Sequence, residues 1–517
     1  MPENLASFKI FCQGGLNTSR DVLSQGETTP GSAVKLTNYE PAVTGGYRKI
    51  NGYSNDFGTV TGTGSVLGVC VADGINDGIL ACRKPSSGNN YLHKWNNSSS
   101  AWDAVSTSGS PTMVGVTKVR FSILNFGTPK VVLTDGINPA ATYDGTTYTQ
   151  ITHSSAPTDP KFSAIFQNHL FLAGDPAHPT KLFFSAPLAE TNFASNDGAG
   201  VINVGFPIVA IKSFRNELFI FGANNIKKLE GTALANFVLK EVTNNLGCMA
   251  TDSVVEIGGD LLFLSQDGLR PISGTSKIGD VNLETVSKNI QSVFTDVVFD
   301  IDLDGLNAVV VRSKTQFRYF FAAADTQGVL GGFRQTPNGI QFEYAQLLGI
   351  TATCADSGFI GQNEFVLHGD STGKVHRQEK GNNFDGSEIF SAFQTPYLYM
   401  QDPEQRKVFY TIATYLRSEG DNEILMSAVY DYEDVNALNP NDFTLSNTNA
   451  AAYYNEAAYA AADATSGAVY DGSPSPIRRT NISGSGKSVS IRYVTNDTKA
   501  SHSIQGLVIT FGVGDRL

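Results

Sequence analysis

The acidic run at residues 300–305 spaces oxygen ligands in a way that suits a metal ion. Asp300, Asp302 and Asp304 alternate along the chain and Gly305 follows, as in the first half of a calcium-binding loop. Carboxylates at alternate positions converge on a hard cation, and glycine permits the sharp turn. The closing bidentate glutamate is missing, because Val311 occupies its position. The pattern therefore favours an acidic connection between strands, and calcium binding is the alternative.

A second segment, Gly484-Ser-Gly-Lys487-Ser488, resembles the end of a phosphate-binding loop. The first glycine of that motif would fall at Asn481, which is not a glycine. The apolar run VSIRYV follows and predicts a strand, whereas phosphate binding needs a helix whose N–H groups point at the ligand. We interpret this segment as a hairpin turn.

Two histidine pairs lie close in sequence among the seven histidines of the chain. His169 and His178 are nine residues apart, and His368 and His376 are eight apart, each pair around a predicted turn. Each pair can meet across a hairpin, but no carboxylate or cysteine accompanies it at a fixed spacing. We therefore interpret them as core or surface residues and predict no cofactor.

No catalytic signature accompanies these groups. The one G-x-S-x-G match, Gly369-Asp-Ser371-Thr-Gly373, lies in a predicted turn between two strands, whereas a nucleophilic serine needs a turn that leads from a strand into a helix. We therefore expect a protein that is not an enzyme and has no small-molecule substrate. The paired carboxylates of glycosidases have no fixed sequence spacing, so a β-rich polysaccharide depolymerase is the enzymatic alternative.

The charge balance argues against a classical nucleic-acid-binding surface. The formal net charge is −12 over 517 residues, and an acidic surface repels phosphate. The five cysteines are odd in number and widely spaced, which indicates buried thiols in a reducing compartment (Cys12, Cys70, Cys82, Cys248 and Cys354). The N-terminus does not read as a signal peptide and no apolar run is long enough to span a bilayer, so we expect synthesis in the cytoplasm.

The elements that must position any site are short strands. An apolar strand, a tight polar turn and a second apolar strand recur with starts near residues 78, 130, 169, 217, 260, 317 and 364. The intervals of 39 to 57 residues fit the period of a β-propeller blade, in which four short strands form one sheet. We predict an all-β protein with a propeller of six or seven blades. An ordinary β-sandwich with irregular hairpins is the alternative.

The hairpin repeat is absent from both ends of the sequence, which have patterns of their own. We predict an extended arm or platform segment at 1–60, the propeller at 61–393 and a C-terminal β-sandwich-like platform domain at 394–517. One helix is expected at 280–294, where apolar residues recur on one helical face. The Ala/Tyr-rich run 448–472 can be a helix or a loop.

The N-terminal motifs carry a family resemblance. Gly14-Gly15-Leu16, Leu36-Thr37-Asn38-Tyr39-Glu40 and Gly45-Gly46-Tyr47-Arg48-Lys49 follow one another in this order. Together with FLSQDGLRPISG (263–274) and the run 373–389, they resemble the tail nozzle proteins of short-tailed bacteriophages, also called tail tubular protein B or packaged-DNA-stabilising proteins. Gly14, Gly15, Gly45, Gly46, Tyr47 and Arg48 are the candidate assembly residues.

The resemblance implies a propeller with a platform that uses both ends of the chain. It also implies a ring, usually a hexamer, that docks beneath the tail adaptor near the tail fibres in the virion tail. Double-stranded DNA would be retained and then pass through the ring without sequence-specific binding. The acidic balance would keep that passage fast. A propeller that binds a receptor or glycan is the remaining alternative.

Overall fold

The structure of the chain is a computed structural model. It describes residues 5–88, 90–111, 113–275, 285–300, 303–321, 328–336, 339–400, 402–433, 439–447 and 476–513. Within these ranges the chain forms eight β-sheets and three short helices, α1 (Val22–Thr28), α2 (Ile272–Thr275) and α3 (Gln291–Asp300). No helix in these ranges is long and apolar enough to cross a membrane.

Six of the sheets are small and follow one another along the chain as the blades of a β-propeller. The first four contain β6 (Thr63–Val71), β7 (Ile79–Lys84), β8 (Leu92–Asn96) and β9 (Ala101–Ala104); β10 (Ser106–Thr107), β11 (Arg120–Asn125), β12 (Pro129–Thr134), β13 (Ala141–Tyr143) and β14 (Thr147–Gln150); β15 (Phe162–Phe166), β16 (His169–Ala173), β17 (Lys181–Phe184) and β18 (Gly200–Asn203); and β19 (Ala210–Phe214), β20 (Glu217–Phe221), β21 (Ile226–Glu230) and β22 (Val238–Thr243). The last two contain β23 (Val255–Ile257), β24 (Asp260–Ser265) and β25 (Gly268–Pro271); and β30 (Cys354–Ile360), β31 (Asn363–Gly369), β32 (Val375–Gln378) and β5 (Tyr53–Ser54).

The two remaining sheets are larger. The nine-stranded sheet has the order β26 (Asn307–Val311), β27 (Gln316–Phe320), β28 (Gly328–Thr336), β29 (Gly339–Leu347), β2 (Lys35–Thr37), β33 (Ile389–Gln394), β39 (Val489–Asp497), β35 (Asn422–Tyr430) and β36 (Phe443–Asn447). The seven-stranded sheet contains β3 (Tyr39–Pro41), β4 (Tyr47–Lys49), β40 (His502–Val513), β34 (Lys407–Ser418), β37 (Ile477–Asn481), β1 (Leu5–Phe11) and β38 (Ser485–Gly486).

The predicted hairpin repeat is present in the structure. Each of the seven hairpins predicted from the sequence contains two neighbouring strands of one repeat, for example β16 and β17, or β31 and β32. Six of these repeats are the separate small sheets. The seventh, β26–β29, follows the fifth blade along the chain and remains part of the nine-stranded sheet. The prediction of an all-β propeller is confirmed.

Tight turns set the register within the blades. Gln167 and Asn168 join β15 to β16, and Arg215 and Asn216 join β19 to β20, all four with φ between 47° and 62°. Two consecutive residues at positive φ match the right-handed twist of a two-stranded hairpin. Short polar turns of this kind bring successive apolar strands into one sheet.

The blades are held together by apolar side chains from their facing surfaces. Leu170 and Leu172 of β16 pack with Val132 of β12, and Phe221 of β20 packs with Phe263 of β24. All five are buried, which explains why these strands are apolar on both faces. Each large apolar side chain of this kind stabilises the fold by about 1.5–3 kcal/mol.

A segment from near the N-terminus completes the last blade. β5 pairs antiparallel with β32, through Ser54 with Arg377 and Tyr53 with Gln378. The blade that contains β30 therefore takes its fourth strand from a part of the chain about three hundred residues earlier. This pairing closes the ring of blades.

The platform consists of the seven-stranded sheet and the β2, β33, β39, β35 and β36 end of the nine-stranded sheet. Its strands come from both ends of the chain: β1 pairs with β40 along its whole length, and β2 pairs with β33. The two sheets share one apolar core, and the hydroxyls of Thr414 and Tyr493 meet at 2.8 Å within it. The predicted C-terminal sandwich is present, with N-terminal strands added to it.

The predicted helix at 280–294 is displaced towards the C-terminus. A short 3₁₀ turn spans Lys288–Ile290, and α3 continues from Gln291 to Asp300. Ile290 and Phe294 of the predicted apolar face are buried in the core that lies between the propeller and the platform. Residues 280–284 lie outside the described ranges, as does the Ala/Tyr-rich run 448–472.

Candidate functional site

A cavity of about 230 Å³ on the propeller axis collects charged side chains from several blades. Arg120 begins β11, and Asp252 lies in the 3₁₀ turn before β23. The Nε and Nη2 atoms of Arg120 donate to the two carboxylate oxygens of Asp252 at 2.8 Å each. The Nζ atom of Lys118 lies 2.7 Å from the same carboxylate. These ion pairs occupy the middle of the axis.

Two carboxylates line this cavity in different electrostatic surroundings. Burial alone would raise the pKa of Asp252, but Arg120 and Lys118 hold it below its usual value. Burial raises the pKa of Asp356 to about 6, although the backbone N–H of Val71 donates to its Oδ2 at 2.8 Å. One carboxyl group therefore stays ionised while the other gains a proton just below neutral pH.

The inner strand of a blade is the one that lies nearest the propeller axis, for example β6, β11 or β15. A second cavity opens at the amino ends of these inner strands and contains the described part of the predicted calcium loop. This cavity measures about 620 Å³ and is lined by Asp304, Lys161 and Lys118. Asp304 is 73% exposed and its Oδ1 accepts from the Nζ of Lys161 at 2.9 Å. Asp302 lies outside the described residues, and the side chain of Asp300 is likewise not described. No cluster of potential metal ligands occurs in the described ranges, and calcium binding stays an untested alternative.

The candidate assembly residues Gly14, Gly15 and Tyr47 lie together inside the platform. The N–H of Gly15 donates to the Tyr47 hydroxyl at 3.0 Å, and that hydroxyl donates to the carbonyl of Gly31 at 2.8 Å. The N–H of Gly14 donates to Oε1 of Glu343 at 2.6 Å. These residues tie the N-terminal segment to β29, so their direct contacts are within the chain.

Gly45 and Gly46 form the turn between β3 and β4, and both have positive φ (90° and 85°). An added Cβ at Gly46 would collide with the carbonyl oxygen of Ile504, whereas the space beside Gly45 is open. Gly46 therefore permits the close approach of this turn to β40.

Arg48 belongs to an internal ion-pair network that connects the platform to the propeller. Its Nη1 donates to Oε1 of Glu40 at 3.0 Å, and its Nε donates to Glu419 at 2.5 Å. Lys314, which lies just before β27, also donates to Glu40, at 2.7 Å. Arg318 of β27 pairs with Glu379 and is completely buried.

No sequence pattern pointed to Lys314, Arg318 or Glu379. Their separation along the chain is the reason: Glu40 and Lys314 are 274 residues apart. The sequence signal for this ion-pair network was limited to Glu40 and Arg48, which both belong to the N-terminal motifs. Lys314, Arg318 and Glu379 belong to no motif.

The structure brings the members of one histidine pair into contact, whereas the members of the other pair have different partners. His368 and His376 are direct partners across β31 and β32, and their rings stack at 4.9 Å. His376 also lies 3.1 Å from Asp370. His169 instead contacts the carbonyl of Ser185, and His178 packs against Phe183. None of these histidines belongs to a described metal-ligand cluster. All five cysteines are free and buried.

The segment that resembles a phosphate-binding loop is part of a turn. Gly484 lies against the ring of Tyr430, and the N–H groups of Lys487 and Ser488 both donate to Asp431. The strand β39 follows directly, as the sequence predicts.

Comparisons with known proteins give similarity in structure only. No protein family and no curated protein matches the sequence. The extracellular domain of a one-component system from B. thetaiotaomicron is 12% identical, with 70% of this chain and 43% of that chain covered and a TM-score of 0.37. An ancestral GH74 enzyme is 9% identical, with coverages of 72% and 53% and a TM-score of 0.39. The chain thus spans about half the length of these two proteins.

A third similar structure is an exo-β-1,3-galactanase from Phanerochaete chrysosporium, solved with β-1,3-galactotriose. It is 9% identical, with 89% of this chain and 99% of that chain covered and a TM-score of 0.22. Two of the three structures are therefore glycoside hydrolases, and none is a phage tail protein. This finding corrects the prediction that the chain is not an enzyme, and we withdraw that exclusion. TM-scores this low assign no reaction.

Proposed function

We propose that this chain is a ring-forming structural component of a bacteriophage tail, a nozzle that docks beneath the tail adaptor. The observation that supports the proposal is the platform built from both ends of the chain, which the family resemblance implies. β1 pairs with β40 through the residues from Leu5 to Phe11, and β2 pairs with β33. The three N-terminal motifs of the resemblance lie in or beside this platform, whereas residues 263–274 and most of the run 373–389 belong to the fifth and sixth blades.

In such a ring the DNA would pass through the central hole that the subunits surround, and not along the propeller axis of one subunit. The propeller axis is occupied by the Arg120–Asp252 ion pair, and its central cavity measures only about 230 Å³. A DNA duplex, whose major groove alone is about 12 Å wide, does not fit there. The net charge of −12 would favour weak contact with the passing phosphates.

Native mass spectrometry and electron microscopy of the purified chain, alone and with the adaptor ring, test this proposal. We expect a hollow ring, most simply with six subunits, at least in the presence of the adaptor. A chain that stays monomeric and does not bind the adaptor ring would contradict it.

A carbohydrate-binding or carbohydrate-cleaving propeller is the second candidate. The observation that favours it is the carboxyl pair of the axial cavity, because Asp252 has a lowered pKa and Asp356 has one raised to about 6. Glycosidases use two carboxyl groups whose surroundings push their pKa values apart in this way. The names of the two hydrolases agree with this candidate and add no further weight.

Incubation with host surface polysaccharide tests the cleaving form of this candidate. New reducing ends that appear with the natural chain and disappear with Asp356→Asn would support it. Their absence at pH 5 and at pH 7 would exclude hydrolysis of that polysaccharide.

A further inference from the structure

The opening at the carboxyl ends of the inner strands differs from the rest of the axis. It forms a cavity of about 630 Å³, and its lining comes from the inner strands β6, β11, β15, β19 and β30 and from the residue that follows β26. This volume lies within the range of about 300–1,000 Å³ that is typical of small-molecule sites.

Hydroxyl groups surround the opening. Ser122, Ser163, Ser213 and Ser357 line it from four different repeats. The hydroxyl of Ser122 donates to the carbonyl of Ser163 at 3.0 Å, and the Ser163 hydroxyl donates to that of Ser122 at 2.9 Å. Hydroxyls both donate and accept, so they suit a ligand that does the same.

Charged groups of both signs lie among these hydroxyls. Lys212 and Arg312 line the opening together with Asp356 and Asp73, so the cations and carboxylates balance in number. Burial raises the pKa of Asp356, and the charges of both cations act in the opposite direction, in favour of the ionised carboxylate. Lys212 is exposed, and its ammonium group has no hydrogen-bond or ion-pair partner among the described residues. A donor next to an acceptor can bind two neighbouring hydroxyls of one ligand through charge-assisted hydrogen bonds.

Two large apolar side chains are exposed at the same opening. Phe359 is 45% exposed and Ile123 is 48% exposed, and both line the cavity. An aromatic ring has a negative face, which attracts the C–H groups on the flat side of a sugar ring. Apolar surface next to convergent polar groups is the usual composition of a binding site.

We propose that this opening binds an uncharged oligosaccharide, with one sugar ring on Phe359 and its hydroxyls between Lys212, Arg312 and Asp356. The balanced charge is the reason for an uncharged ligand, since two cations and two carboxylates give no net attraction to a charged sugar of either sign. This proposal rests on the second candidate function and names its ligand and subsite. It is independent of the proposed ring.

Saturation-transfer NMR with the full chain tests the site, with uncharged gluco-, manno- and galacto-oligosaccharides as probes, β-1,3-galactotriose among them. We expect at least one probe to bind. Phe359→Ala and Lys212→Met should each weaken binding by about tenfold, equivalent to about 1.4 kcal/mol. Phe359 and Lys212 are exposed, so both variants should fold, and circular dichroism checks this.

Matched controls are exposed residues away from the axis. Leu234→Ala removes an apolar side chain that is 47% exposed on the fourth blade, and Lys84→Met removes an exposed ammonium group on the first. Neither should change binding. If no probe binds, or if Phe359→Ala and Lys212→Met bind as the natural chain does, the proposal is overturned.

These outcomes separate the subsite from the functions proposed above. Binding without new reducing ends would support the subsite and exclude cleavage of the bound saccharide. Reducing ends that form in Phe359→Ala as fast as in the natural chain at a low saccharide concentration would support cleavage and overturn this subsite. Assembly of the ring would be unaffected by either result.

Discussion

Arg318 is buried beside two carboxylates, so its charge depends on them for compensation. Glu379 pairs with it directly, and Oε2 of Glu40 lies 3.8 Å away. Burial alone would raise the pKa of Glu379, but Arg318 and Lys314 lower it to about 2. The network is therefore sensitive to the loss of a single carboxylate.

Glu379→Gln should destabilise the protein by about 3–5 kcal/mol, because it leaves the buried guanidinium of Arg318 without its closest counter-charge. Urea unfolding followed by intrinsic fluorescence measures the change. Lys380→Ala is the control, since it breaks the exposed Lys380–Asp56 pair and should cost at most about 1 kcal/mol. Equal effects of the two substitutions would show that the network does not stabilise the fold.

The same pair predicts a dependence of stability on pH. A carboxyl group whose pKa is lowered in the folded state stabilises the protein above its unfolded pKa of 4.5. That stabilisation is lost as the pH falls through about 2. The melting temperature should therefore fall more steeply from about pH 5 to pH 2 in the natural chain than in Glu379→Gln. Parallel pH profiles of the two proteins would contradict this.

The β3–β4 hairpin is the element that attaches the N-terminal motifs to the end of the chain. β4 pairs with β40 through Tyr47 with Ile504 and Arg48 with Ser503. The positive φ values at Gly45 and Gly46 could be expected from the sequence, because paired glycines favour such turns. The collision partner of Gly46 lies more than four hundred residues away and could not.

Gly46→Ala should destabilise the protein more than Gly45→Ala. Both substitutions place a Cβ at positive φ, which costs roughly 1–2 kcal/mol. Only the Gly46 substitution also meets the Ile504 carbonyl, which should add about 1–3 kcal/mol. The difference between their urea midpoints measures the collision alone. Midpoints that coincide would show that the hairpin can move away from β40 at no cost.

At the scale of the whole molecule, the propeller and the platform are joined by strand pairing. β2 pairs with β29, and β5 completes the blade that contains β32. The ion pair between Glu40 and Lys314 crosses the same junction. Cutting the chain at the predicted domain boundaries would remove these elements from the propeller.

A fragment of residues 61–393 should accordingly fail to fold as a stable propeller. It lacks β5 and β2, so strand edges that are paired in the full chain would be exposed and prone to association. A fragment of residues 5–513 is the control and should unfold at the temperature of the full chain. Size-exclusion chromatography with circular dichroism compares them. A soluble, cooperatively unfolding 61–393 fragment would show that the propeller is independent.

The candidate site shows which features of this protein are local in sequence and which depend on distant segments. The β class and the seven hairpins could be predicted because each hairpin is local, with its turn and both strands in fewer than about twenty residues. Asp252 and Asp356 belong to no sequence motif, because they reach the axis from different blades. Their pKa values depend on the burial and on the neighbouring charges at the axis. The calcium-like spacing of Asp300, Asp302 and Asp304 was visible instead, and Asp304 pairs with Lys161.

The sequence by itself determined the repeated hairpins and hence the propeller, because alternation of apolar strands and polar turns acts over short distances. Only the tertiary structure decided how the chain ends join, which side chains meet on the propeller axis, and that Arg48 faces Glu40 and Glu419 inside the protein. These contacts connect residues that are tens to hundreds of positions apart. Their energies come from burial and charge compensation, which exist only once the distant segments have packed together.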